Sequence, residues 1–60
     1  MSDRMPQVGH LYPRRGGGFL SLYVAMSGQV SARLMADRYD VGFTTGLMPV
    51  AAFWEMCADA

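Results

Sequence analysis

Phe19-Leu20-Ser21-Leu22-Tyr23-Val24-Ala25-Met26-Ser27-Gly28-Gln29-Val30-Ser31-Ala32-Arg33-Leu34-Met35-Ala36 is the stretch whose reading decides the fold. In its first half Leu20, Leu22, Val24 and Met26 alternate with Phe19, Ser21, Tyr23 and Ala25. Period-two alternation is the mark of a half-buried strand, because successive side chains leave a strand on opposite faces. The second half alternates again, Val30, Ala32, Leu34 and Ala36 against Gln29, Ser31, Arg33 and Met35. Ser27-Gly28 between them suits a tight turn, so the whole reads as a β-hairpin. Leu22 and Val24 are then expected core residues, each worth roughly 2–5 kcal/mol on truncation to alanine. A competing reading stays open: Ser27 caps a helix over 29–38, with Val30, Arg33, Leu34 and Asp37 at helical spacing and good helix formers among them. The hairpin is preferred because both halves alternate strictly and share one short turn.

Outward from the hairpin the chain continues in the same style. Residues 1–7 are polar, carry Pro6 and read as an arm. Val8 to Arg14 alternates as a first strand, with Pro13 demoting its end to an edge. Arg15-Gly16-Gly17-Gly18 is a turn, since consecutive glycines reach positive φ freely. Asp37-Arg38-Tyr39-Asp40 reads as a second turn and Val41 to Thr45 as a short strand. Pro49 suits the first position of a helix, where its missing N–H costs nothing. Behind it Val50, Phe53, Trp54 and Cys57 fall at i, i+3, i+4 and i+7, one apolar stripe. The expected architecture is one domain over 1–60: an arm over 1–7, antiparallel strands over 8–48 and a C-terminal helix over 49–58. It is mainly β (α+β), a small SH3-like sheet or partly open barrel of three to five short strands.

A 60-residue chain hides only about 60% of the surface its unfolded form exposes, so its stability margin is small. Cys57 is the single cysteine, which rules out an internal disulfide, and one His with one Cys leaves a zinc set half empty. No cofactor is expected. Apolar residues make up 52% of the chain, six Met among them, more than so small an interior can hold. Contiguous exposed apolar area marks interaction surfaces, and Met adapts well at them. Five basic residues balance five acids, so no strong field draws the chain to DNA or to an anionic membrane. All five cations are Arg, and Lys, Asn and Ile are absent, the imprint of a GC-rich coding sequence. The least polar run, 19–36, contains Arg33, which is costly at a bilayer centre. A membrane span is not expected, and the cytoplasm is the default location.

Gly9-His10-Leu11-Tyr12 near the start and Leu47-Met48-Pro49-Val50-Ala51-Ala52-Phe53-Trp54-Glu55 near the end resemble the two ends of a bacterial family of short SH3-like domains. That family opens on K-G-x-x-Y and closes on V-R-P-L-x-x-F-x-E, with a Tyr-Gly-Asp turn where this chain has Arg38-Tyr39-Asp40. The resemblance spans about Val8 to Glu55. Val8 stands in place of the Lys and Met48 in place of the Arg, so contacts through those charges are not carried over. The resemblance implies a fold and no activity.

No catalytic constellation accompanies His10, the single histidine of the chain. Arg14-Arg15-Gly16-Gly17-Gly18 lacks the Lys-Ser/Thr of a phosphate-binding loop and opens no helix. The chain therefore reads as a non-enzymatic protein-binding module. Trp, Tyr and Arg dominate interface energetics, which singles out Arg14, Arg15, Tyr23, Arg33, Arg38, Tyr39 and Trp54 as expected contact residues. In size and composition the chain resembles accessory proteins of phages and mobile elements, anti-CRISPR inhibitors among them, which occlude a surface of a larger host or nucleoprotein complex. Two alternatives are direct binding of single-stranded nucleic acid on aromatic platforms and a structural homo-oligomer.

Overall fold

The opening stretch is the central hairpin of a computed structural model that describes residues 4–58; residues 1–3 of the expected arm lie outside them. In chain order the elements are β1 (Leu11–Pro13), β2 (Phe19–Met26), β3 (Gln29–Met35), β4 (Phe43–Thr44), β5 (Met48–Pro49) and α1 (Val50–Met56). The strands form one sheet in the order β1-β2-β3-β4, with β5 also paired to β3, and every strand pair is antiparallel. Residues 29–35 are thus strand, and the competing helix is excluded. The fold is a small α+β one, mostly strand.

One feature of the hairpin departs from simple alternation. Leu22 lies opposite Ala32 but Val24 lies opposite Ser31, so Tyr23 is an extra residue on β2. A bulge of this kind re-aims every side chain beyond it. Leu20 and Leu22 are buried, whereas Val24 is 41% exposed and Met26 is more exposed still. The expectation that Val24 and Met26 share the core with Leu20 and Leu22 is corrected accordingly. Leu22→Ala should lower stability by roughly 2–5 kcal/mol, while Val24→Ala should stay within about 0.5 kcal/mol. Urea denaturation of the two variants checks this, and equal losses would contradict the bulge.

The helix packs as its stripe demands: Val50, Phe53, Trp54 and Cys57 are buried together with Leu20, Leu22, Val30 and Ala32. It is shorter than expected at both ends. Pro49 is extended (φ −62°, ψ 151°) and pairs with Gln29 on the sheet, just ahead of the first turn. At the other end Cys57 is again extended (φ −81°, ψ 146°) and bridges Arg14. The Arg15 N–H donates to the Met56 carbonyl at 2.8 Å, satisfying an acceptor that has no partner within the helix. α1 therefore crosses one face of the sheet from β5 to the end of β1, tying its two edges together.

Two other segments are shorter than their alternation implies. The expected strand from Val8 contracts to β1 because Gly9 turns at φ 87°, leaving Val8 in a single parallel bridge to Leu22. The expected strand over Val41 to Thr45 contracts to β4, and Thr45 leaves the ladder. Its hydroxyl accepts from the Ala32 N–H at 3.0 Å while its carbonyl accepts from the Ser31 hydroxyl at 2.6 Å. Those bonds satisfy the buried Ser31 and let the chain shift by one residue before β5 resumes the pairing.

The N-terminal segment is no free arm over its described residues. Pro6 is buried, the Gln7 N–H donates to the Tyr12 hydroxyl at 2.8 Å, and the Trp54 indole N–H donates to the Arg4 carbonyl at 2.6 Å. Tyr12, Phe53 and Trp54 meet edge to face, with ring centroids 5.2–5.5 Å apart. The two motifs at the ends of the chain are thus one cluster.

Candidate functional site

The helix covers one face of the sheet, here the inner face. Directly opposed residues on antiparallel strands share a face, so the registers assign Phe19, Ser21, Arg33, Met35 and Thr44 to the outer face. Val24 and Met26 join them beyond the bulge, opposite Ser31 and Gln29. Tyr23 is there too, since the Arg33 guanidinium lies 5.0 Å from its ring centroid. The Arg38 guanidinium lies 5.8 Å from the Phe19 centroid. Two guanidinium–aromatic pairs therefore stand side by side on the outer face, followed towards the hairpin turn by the exposed Val24 and Met26.

The loop from Ala36 to Gly42 builds this face. It folds against the outer side of β3, buries Met35 and brings the Gly42 backbone close to the side-chain stems of Arg33 and Met35. The loop is held by its own acids. Asp37 Oδ1 accepts from the Tyr39 N–H at 2.8 Å, and Asp40 Oδ2 accepts from the Ala36 N–H at 3.0 Å. Backbone amides, first that of Ala36 and then those of Gly42 and Val41, hold the Asp40 carboxyl below its ordinary value against a small opposing effect of desolvation.

A carboxyl with a lowered folded-state pKa stabilises the fold above its unfolded pKa of about 4, and that contribution fades as pH falls through the folded value. Asp40→Asn should therefore melt below the wild type at pH 7, with the gap closing below about pH 4. Thermal melts across pH 2–7 (a range of about five units around the carboxylate pKa) test this. A gap that does not depend on pH would mean the charge of Asp40 is irrelevant.

Of the seven expected contact residues the structure brings three together, Tyr23, Arg33 and Arg38. Tyr39 projects from the adjacent turn, 90% exposed. Arg14 and Arg15 lie elsewhere, where the β1–β2 turn meets the end of α1. Trp54 is 6% exposed and belongs to the core cluster, its N–H bonded to the Arg4 carbonyl and the Arg4 guanidinium 4.7 Å from its centroid. From the sequence Phe19 enters only as an aromatic platform of the nucleic-acid alternative, with Tyr12, Tyr23 and Arg33, and Val24 and Met26 do not enter as contact residues. Phe19 shares the alternation phase of Tyr23, which is a usable signal, whereas Val24 and Met26 reach this face only through the bulge.

His10 is exposed and packs its ring 4.6 Å from that of Tyr12. Among the described residues no three of His, Cys, Asp and Glu gather as a metal site, and no pocket opens. No helix among them is long and apolar enough to cross a membrane. No family model, curated protein or solved structure matches the chain.

Proposed function

We propose that this chain is a non-enzymatic protein-binding module that docks through the outer face of its sheet. On this proposal it acts as an inhibitor that occludes a surface of a larger complex, in the manner of phage and mobile-element accessory proteins. The observation that carries the reading is the row formed by Arg38 on Phe19, Arg33 on Tyr23 and the exposed Val24 and Met26. Stacking on a ring fixes a long guanidinium side chain before any partner arrives, so less rotamer freedom is lost on binding. Tyr23 adds a large ring with few torsions. Such residues at the centre of an interface carry most of its energy.

Affinity purification of the tagged chain from a bacterial lysate should yield one stoichiometric complex. Tyr23→Ala should weaken that complex by about 30-fold, the equivalent of a 2 kcal/mol hot spot, with an unchanged circular-dichroism spectrum. A complex indifferent to Tyr23→Ala would move the docking surface elsewhere, and recovery of no complex under gentle conditions would count against the reading as a whole. The same aromatic–guanidinium pairs also support a second reading, in which bases of a single strand stack on Tyr23 and Phe19. Anisotropy with an oligonucleotide that falls steeply with salt would favour it. Light scattering at a fixed multiple of 6.6 kDa would instead identify a homo-oligomer.

A further inference from the structure

The outer face also indicates the chemistry of its partner. We infer that it receives an acidic protein segment, two of whose carboxylates engage the outward N–H edges of Arg33 and Arg38 while an apolar residue covers Val24 and Met26. This rests on the protein-binding reading above and goes further by naming what binds.

Among the described residues no acid forms an ion pair with the Arg33 or Arg38 guanidinium. Asp37 and Asp40 turn their carboxylates onto the backbone amides of Tyr39 and Ala36. Among the described residues, the contacts of Arg33 and Arg38 are with the Tyr23 and Phe19 rings. A ring face takes one face of the guanidinium and leaves its in-plane N–H donors free, the geometry that suits a bidentate carboxylate. Asp37 and Asp40 offset the two positive charges, so the face offers a carboxylate directed donors rather than a net positive field, beside the exposed Val24 and Met26.

The spacing narrows the segment further. Phe19 and Tyr23 are four residues apart on β2, about 12 Å at roughly 3.3 Å per residue once the bulge at Tyr23 shortens the advance, and the guanidiniums lie over those rings. An extended segment matches this spacing with acids at i and i+4, and a helix with acids about eight residues apart at 1.5 Å per residue. A nucleic acid fits less well. Sequence-independent affinity grows with the number of phosphates neutralised, and two cations give a salt slope of only about −1.4 on a single strand.

The test is selection of a random dodecapeptide library on the immobilised chain, followed by anisotropy with the recovered peptides and with a dT dodecamer. Arg33→Gln/Arg38→Gln serves as the comparison, with Arg33→Glu/Arg38→Glu as a second variant and circular dichroism confirming that both fold. Recovered peptides should carry paired Asp or Glu. They should lose about tenfold or more in affinity for the Gln variant, and as much when their own acids become Gln. Neutral peptides that bind wild type and both variants alike, yet lose affinity on Tyr23→Ala, would overturn the acidic partner and leave the protein-binding reading standing. Recovery of no peptide, or binding of the dT dodecamer alone, would overturn both.

Discussion

Phe53→Ala is expected to leave most of the chain unfolded at 37 °C. Phe53 is fully buried at the centre of the core, and its ring meets Tyr12 and Trp54 edge to face at 5.5 and 5.3 Å. Truncating a buried Phe costs about 3–5 kcal/mol through lost transfer energy and the cavity left behind. Each edge-to-face pair adds about 0.5–1.5 kcal/mol beyond area burial. A domain of this length holds only about 3–9 kcal/mol of stability in all, so the loss is of the same size as the whole. Circular dichroism with a urea titration reads it directly. A cooperative transition within about 1 kcal/mol of wild type would show that α1 does not anchor the core. Phe53→Leu, which keeps much of the volume, should fold with a smaller loss.

Gly42→Ala is expected to damage both the fold and the outer face. Gly42 sits at φ +74°, and an added Cβ would lie 2.6 Å from the Leu34 carbonyl oxygen and 2.7 Å from Arg33 Cγ. The first neighbour is backbone within β3 and cannot step aside cheaply; the second is the stem that carries the guanidinium onto Tyr23. The left-handed conformation alone costs a non-glycine residue about 1–2 kcal/mol, and the overlap adds to it, for a total of roughly 2–4 kcal/mol. Gly16→Ala provides the comparison, with a similar φ of +90° and nothing within 4 Å of the added atom. Melting temperatures of the two variants separate conformational cost from overlap. Gly42→Ala should fall well below Gly16→Ala and should also lose partner binding under conditions where it remains folded. Equal melting temperatures would show that the loop does not press on β3 as described.

Much of the fold was legible because it rests on local periodicity. The spacing of Val50, Phe53, Trp54 and Cys57 gives a helix one apolar face whatever lies opposite, and the alternation around Ser27-Gly28 gives a hairpin. The Gly9–Tyr12 and Pro49–Glu55 motifs meet in the Tyr12–Phe53–Trp54 cluster. The exposed row was only half legible. Tyr23 and Arg33 stand out by residue type, but nothing in the order of residues 22 to 24 announces a bulge. Without it Val24 and Met26 count as core. The burial of Trp54 was illegible for a related reason, because a Trp on a short helix is apt for an interface or a core alike. The partner that seals it is a backbone carbonyl 50 residues away, which no local pattern encodes.

By itself the sequence determined the central hairpin and the apolar stripe of the helix, because strand and helix periods and the turn glycine act within a few residues of one another. Only the tertiary structure decided where β2 bulges, that Thr45 completes the edge of β3, that the arm seals Trp54, and that Arg33 and Arg38 come to rest on aromatic rings. Those outcomes depend on contacts between residues remote in sequence, whose free energy is realised only after the chain has closed on itself. The outer face is a product of that closure.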